Sequence, residues 1–157
     1  MKRKEKIAIL IAASASIVSG IVLIIALSLI PDIPFRLEDE YYGTSEAIEI
    51  TKDDYESLIK REKSFVVLVD KPGCVTTQTM RGFMSNFPED MQFKYYHLYW
   101  DEAKESSLHE KVKYTPSVAL IHNGKVIAFL DADSKEDADR YSDASALKDW
   151  IREYIKF

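Results

Sequence analysis

Apolar and polar positions divide the chain into one uninterrupted apolar run and a longer segment with mixed periods. From Ile7 to Ile30 no residue carries a charge, and the run is rich in Ile, Leu, Val and Ala. As a helix this run would be about 36 Å long, which is enough for a hydrocarbon core of roughly 30 Å. We therefore predict that residues 7–30 form a single transmembrane helix.

The charges on either side of the apolar run indicate its orientation. A basic segment, residues 1–6, precedes the run, and acidic residues follow it from Asp32 onward. The positive-inside rule places residues 1–6 in the cytoplasm and the rest of the chain outside the cell membrane. A cleaved signal peptide is the alternative, but its apolar region is normally about 7 to 15 residues long. Membrane anchoring is the interpretation we favour.

The next segment, residues 31–46, mixes prolines, acidic residues and a glycine without a period, which predicts a juxtamembrane linker. The folded domain is then expected to span residues 47–157. It begins with a short strand at 47–50, and Thr51 with Asp54 three residues later predicts a capped helix start. Residues 64–70 are almost continuously β-branched or aromatic, as in a strand buried on both faces.

Helical and strand periods alternate through the remaining segment. A helical stripe of Met and Phe follows Cys74 and should end before Pro88. Residues 92–100 alternate like a strand, and residues 105–113 suggest a short polar helix. Asn123-Gly124 between two apolar runs, 117–121 and 125–130, predicts a hairpin, and an amphipathic helix ends the chain. This order predicts an α/β fold with a central mixed sheet flanked by helices.

Composition and charge exclude several classes of function. The chain has one cysteine, so it cannot form an internal disulfide, a cysteine zinc site or an iron-sulfur site. Its net charge is −5, and four of its 21 basic residues lie within the first six positions. The rest of the chain is therefore strongly acidic, and nucleic acid is not an expected partner. The histidines, His97, His109 and His122, lack metal-ligand spacing and are interpreted as structural or surface residues. We expect no metal and no cofactor, and the acidic segment 131–143 is expected to be a solvated loop.

Three features together resemble the thioredoxin-like superfamily over residues 47–157. They are the buried strand that leads to a helix-opening Cys74, the Thr115-Pro116 turn before a strand, and the Asn123-Gly124 hairpin followed by the last helix. The segment from 70 to 74 also resembles thioredoxin-like accessory proteins of bacteria, including the bacteriocin-transport-accessory type. The resemblance implies a thioredoxin-like fold and a bacterial envelope protein.

The resemblance also implies candidate site residues. Cys74 matches the nucleophilic cysteine of the family, and Thr77 occupies the position of the second, resolving cysteine. Thr77 would stabilise the sulfur, and Lys71 offers a nearby positive charge. Pro116 matches the cis-proline of the family, which presents the backbone of Thr115 to an extended peptide.

Departures from the family pattern leave the function open. Gly73 replaces the tryptophan that usually precedes the cysteine, and Leu68 occupies the position of the usual buried acid, so that no proton acceptor is evident. One hypothesis is a monothiol thiol-disulfide oxidoreductase with Cys74 and Thr77 as catalytic residues, and Lys71, Gly73, Thr115 and Pro116 as substrate-binding residues. A second is a non-catalytic peptide-binding or accessory module of an envelope or secretion system. A third is that Cys74 links two copies of the chain.

Overall fold

Five strands form one mixed sheet in the computed structural model, which describes residues 33–157. The strands are β1 (Ala47–Glu49), β2 (Phe65–Asp70), β3 (Tyr95–Tyr99), β4 (Ser117–His122) and β5 (Lys125–Phe129). Their order in the sheet is β1-β3-β2-β4-β5. The pairs β1–β3 and β2–β3 are parallel, whereas β2–β4 and β4–β5 are antiparallel. The predicted mixed sheet is thereby confirmed.

Helices follow the strands as the alternating pattern predicts. They are α1 (Lys52–Lys60), α2 (Val75–Ser85), α3 (Trp100–Ala103), α4 (Ala138–Ser142) and α5 (Ala144–Tyr154), with 3₁₀ turns at Asp39–Tyr41, Glu89–Met91 and Ser107–Glu110. Thr51 and Asp54 form the predicted capping box at the start of α1. On α5 the apolar stripe of Leu147, Trp150 and Ile151 is buried.

Strand β2 is the centre of the molecule, and all six of its residues are buried. Successive side chains of a strand point to opposite faces of the sheet. Phe65 therefore contacts Tyr55 of α1 on one face, and Asp70 contacts Arg81 of α2 on the other. This alternation places the residue that ends β2 beneath helix α2, where Cys74 begins the helix.

Two segments differ from their predictions. The region predicted as a helix at 105–113 contains only the 3₁₀ turn Ser107–Glu110, because helix α3 begins earlier, directly after β3. The acidic segment 131–143, predicted to be a solvated loop, includes helix α4 and one buried acid, Asp137. Asp137 pairs with Arg140 and accepts a hydrogen bond from the Asp131 N–H at 2.8 Å.

The folded unit begins closer to the N-terminus than the predicted boundary at Ala47, since it includes residues from Ile33 onward. Phe35, Leu37 and Tyr41, all assigned to the linker 31–46, are buried in the core. Phe35 and Leu37 are two residues apart and Leu37 and Tyr41 are four apart, so no single period runs through the three positions and the pattern alone could not assign them to the core. Below, residues 35–43 are called the N-terminal strap.

The predicted transmembrane segment 7–30 and the basic segment 1–6 lie outside the described residues. Between residues 33 and 157 no helix has the length and apolar character needed to cross a bilayer.

Two glycines provide a matched test of backbone conformation. Gly124 in the β4–β5 turn has φ of +71°, and a Cβ added there would lie 2.4 Å from the Ile59 carbonyl oxygen. We expect Gly124→Ala to lower the free energy of unfolding by about 2 kcal/mol. Gly82 inside α2 has nothing within 4 Å of an added Cβ, so Gly82→Ala should raise the free energy of unfolding by about 1 kcal/mol. Urea denaturation measures both, and equal effects would contradict the structure.

Candidate active site

Cys74 lies at the start of α2, at the end of a short loop that leaves the buried strand β2. It is the N-cap residue of the helix, and its carbonyl accepts the first helical hydrogen bond from the Gln78 N–H at 3.2 Å. Gly73 before it has φ of +77°, a left-handed conformation that favours glycine. The glycine turn thus lets the chain reverse direction and places the sulfur beside the free N–H groups of the helix start.

The surroundings of the sulfur favour its ionised form. The Thr77 hydroxyl is the main cause of a pKa of Cys74 below its usual value, and the Thr77 N–H and the Thr76 N–H and hydroxyl contribute in the same direction. Partial burial of the sulfur acts in the opposite direction and does not reverse the effect. Cys74 therefore has the local environment of a reactive thiol.

Thr77 is buried beneath the sulfur, at 3% exposure. Within residues 33–157 its Oγ1 has no partner that meets regular hydrogen-bond geometry. The hydroxyl therefore remains available to donate to a negatively charged sulfur, which is a better acceptor than a neutral thiol. The position that the resemblance assigns to a resolving cysteine thus holds a buried hydroxyl, one helical turn after Cys74.

Two adjoining cavities bring the predicted site residues together. The first has a volume of about 260 Å³ and is lined by Lys71, Gly73, Cys74 and Thr77 among others. The second, of about 300 Å³, includes Thr115 and shares Lys71 with the first. The Lys71 Nζ lies 5.8 Å from the centre of the Trp100 ring, which keeps this cation between the two cavities.

The Thr115–Pro116 peptide bond is cis, as the resemblance implies. The Thr115 hydroxyl donates to the Val69 carbonyl at 3.1 Å, so this side chain ties the turn to β2. Tyr141 of α4 donates to the Pro116 carbonyl at 2.9 Å, and its burial raises the pKa of Tyr141. Tyr141 was not identified from the sequence, because it lies in the acidic segment that lacked a recognisable period.

A buried cluster of charged side chains lies on the α2 side of the same cavity. Asp70 Oδ1 is 2.6 Å from His97 Nε2, and Asp70 Oδ2 accepts from Arg81 Nη2 at 3.0 Å. Arg81 Nη2 is also 2.6 Å from His97 Nε2. Asp70 and Arg81 line the cavity that contains Cys74.

This cluster adds to what was interpreted from the sequence. Of the two alternatives for His97, structural or surface, the structure shows a buried side chain in contact with a carboxylate and a guanidinium. Leu68 occupies the position expected for the buried acid, but the structure places a different carboxylate, that of Asp70, in the cavity. One signal was present in the sequence, namely a carboxylate that ends an otherwise apolar strand.

The other two histidines lie away from the cluster. His109 contacts the Trp100 ring, with ring centres 5.5 Å apart, and His122 is stacked on Phe35 near the β4–β5 turn. Within the described part of the chain, no group of three or more His, Cys, Asp or Glu side chains is arranged to hold a metal ion.

The fold places the chain among known structures. Reduced Schistosoma mansoni thioredoxin pre-protein is 21% identical, with a TM-score of 0.51 over 71% of this chain and 100% of that chain. Thioredoxin f from spinach chloroplast is 14% identical, with a TM-score of 0.50 over 70% and 94% of the two chains. No family model matches the sequence, and no curated protein matches it. The chain therefore has the thioredoxin-like fold, and at these identities the similarity extends to the fold alone.

Proposed function

We propose that the protein is a monothiol thiol-disulfide oxidoreductase, anchored by residues 7–30 and acting outside the membrane on envelope or secreted proteins. The observation that carries this proposal is the position of Cys74 at the start of α2 above the buried Thr77 hydroxyl, where its pKa is lowered. A thiolate is the nucleophile in thiol-disulfide exchange, so this environment supports the first step of that chemistry.

The reaction needs two external sulfur partners because residue 77 is not a cysteine. The Cys74 thiolate attacks a substrate disulfide, forms a mixed disulfide and releases one substrate thiolate. A second thiol, from another protein or a small molecule, then attacks the mixed disulfide and releases the Cys74 thiolate. The second thiol attacks the substrate sulfur that Cys74 holds and forms a new disulfide with it, so the substrate disulfide is exchanged for a disulfide with the second thiol and Cys74 is regenerated as the thiolate.

The two cavities support the assignment of Lys71, Gly73 and Thr115 as substrate-binding residues, and Pro116 is proposed with them because it forms the cis peptide bond with Thr115. Val75 and Tyr114 are two of the three large apolar side chains in the described chain that are strongly exposed, at 74% and 50%. Val75 directly follows Cys74 and Tyr114 lines the second cavity, and exposed apolar side chains at these places suit contact with a peptide segment. The same observation favours the alternative function, a peptide-binding or accessory module in which the thiol is not used.

Alkylation of Cys74 by iodoacetamide as a function of pH tests the proposal in the full-length chain in detergent micelles. The lowered pKa should give a rate midpoint below about 8.5, the ordinary value for a thiol. Because the thiolate is the reactive form, the rate should rise as pH rises through that midpoint and then level off. A short unfolded peptide of the same local sequence provides the reference.

Cys74→Ser supplies the matched control and separates the alternatives. Mixed disulfides with envelope proteins should form with the wild type and disappear in this variant. Peptide binding that is unchanged in Cys74→Ser, together with a midpoint at or above about 8.5, would favour the non-catalytic module. A dimer on nonreducing electrophoresis that Cys74→Ser abolishes would instead support linkage of two copies.

A further inference from the structure

The cluster of Asp70, His97 and Arg81 combines burial with more polar contacts than packing alone requires. Asp70 and His97 are only 3% and 4% exposed. Burying charged groups is costly unless they are paired, and such groups are found disproportionately at functional sites. The Arg81 Nε is buried and has no hydrogen-bond partner among the described residues, so this cluster is not a fully satisfied structural network.

The contacts at one atom, His97 Nε2, allow two arrangements of protons. Asp70 Oδ1 and Arg81 Nη2 each lie 2.6 Å from this nitrogen. When Nε2 is unprotonated it can accept from Arg81, which only donates; when it is protonated it can donate to the Asp70 carboxylate. Each arrangement satisfies one of the two short contacts and leaves the other without a hydrogen to share, so we expect a change of protonation at Nε2 to be accompanied by a small movement of Asp70 or Arg81.

Other charged or titratable groups around the cluster define its electrostatics. Tyr99 of β3 packs its ring against His97, and Glu49 of β1 is the register partner of His97. The pKa of Tyr95 is raised, mainly by burial. The charges of Arg81 and Asp70 also act on it, in opposite directions, so Tyr95 lies close to the cluster. From α2, Arg81 and Cys74 face the cavity that Asp70 lines.

Protonation of His97 would change the net charge of the cluster. With neutral His97, the Asp70 carboxylate and the Arg81 guanidinium sum to zero charge. With protonated His97 the sum is +1, which favours a thiolate in the adjoining cavity. Formation of the thiolate and uptake of a proton by the cluster are therefore expected to assist each other.

We propose that Asp70, His97 and Arg81 form a proton-storing cluster that exchanges one proton with the Cys74 site through Asp70. This inference rests on the proposed thiol-disulfide function and deepens it. Asp70 lines the cavity and His97 does not. His97 therefore acts through Asp70, as a positioning residue that holds the proton next to the Asp70 carboxylate.

The proton balance follows the two exchange steps. In the proposed cycle the Cys74 thiolate is present at the start, and the cluster holds the proton that the thiol has lost. As the thiolate attacks a disulfide and the S–S bond breaks, the released substrate thiolate receives the stored proton and leaves as a thiol. When the second thiol attacks the mixed disulfide, its proton returns to the cluster and Cys74 leaves as the thiolate.

His97→Gln tests this proposal by the pH profile of Cys74 alkylation in the full-length chain. Glutamine can donate to Asp70 but cannot take up the proton. We expect the rate constant at pH 6 to fall by at least about threefold, the effect of one nearby charge, with no change at pH 9. His122→Gln, at the opposite end of the sheet, is the matched control and should leave the profile unchanged.

A second measurement needs no change to the cluster. The imidazole resonances of the wild type are titrated by NMR before and after Cys74 is capped with iodoacetamide, which removes the thiolate. We expect capping to lower the His97 midpoint by at least about 0.5 pH, because a nearby negative charge favours the protonated ring. The His122 midpoint should not move.

The outcomes separate this inference from the proposed function. If Cys74 has a low midpoint but neither His97→Gln nor capping has an effect, the proton-storing cluster is disproved and the monothiol function stands. If the wild-type Cys74 midpoint is at or above about 8.5, the monothiol function fails and the inference fails with it.

Discussion

Replacement of Thr77 with valine is expected to slow alkylation of Cys74 at pH 7 by about tenfold, the effect of losing a hydrogen bond of about 1.5 kcal/mol to a charged group. The Thr77 hydroxyl is the largest cause of the lowered pKa of Cys74. Valine has nearly the same shape but cannot donate, so the thiolate loses this stabilisation and the pKa of Cys74 rises. The rate midpoint should move to higher pH, while the plateau rate at high pH stays the same.

The same substitution should leave the fold intact. In the thiol form the buried Thr77 Oγ1 has no regular hydrogen-bond partner, so valine removes no hydrogen bond that stabilises the neutral protein. At pH 5 we therefore expect the free energy of unfolding to be unchanged or slightly higher. Thr79→Val is the matched control, because Thr79 is on the same helix and donates to the Val75 carbonyl instead. A Thr77→Val profile that overlays the wild type would show that the hydroxyl does not act on the sulfur.

Replacement of Phe35 with alanine is expected to lower the free energy of unfolding by about 3 to 4 kcal/mol. Phe35 is 3% exposed and its ring stacks on His122, with centres 4.4 Å apart. Its backbone also accepts from the Lys156 N–H at 2.7 Å and donates to the Tyr154 carbonyl at 2.8 Å. Truncation leaves a cavity at the junction of the N-terminal strap and the C-terminal segment. Urea denaturation followed by tryptophan fluorescence measures the change.

Ile33→Ala is the control for Phe35→Ala. Ile33 is two residues earlier and 42% exposed, so its loss should change the free energy of unfolding by no more than about 0.5 kcal/mol. Similar small effects at both positions would mean that the strap is not part of the core. In that case the folded domain would begin near Ala47, as the sequence pattern alone predicts.

The elements that could be predicted are those in which local pattern and tertiary packing agree. The capping box of α1, the wholly apolar β2 and the Asn123-Gly124 turn each carry a short-range signal with a physical cause. The N-terminal strap carries no such signal. Its three core residues are identified only by the tertiary surfaces that they cover, and these surfaces come from distant parts of the chain.

The candidate site divides in the same way. Cys74 and Thr77 are one helical turn apart, so their proximity follows from sequence spacing once α2 is predicted. Asp70 and His97 lie on different strands, and their contact depends on the parallel register of β2 with β3, in which Leu68 faces His97. A single sequence does not fix that register, and hence His97 could not be assigned to the site.

The attachment of the strap to the C-terminal segment has a mechanical consequence. The bridge between Phe35 and Ile155 and the two backbone hydrogen bonds of Phe35 are the first connections after residue 33. Tension applied to the chain before that point therefore loads the C-terminal segment first. Strand β2 and the Cys74 loop lie further along the chain, so the geometry around the sulfur is shielded from a pull until the Phe35 connections break.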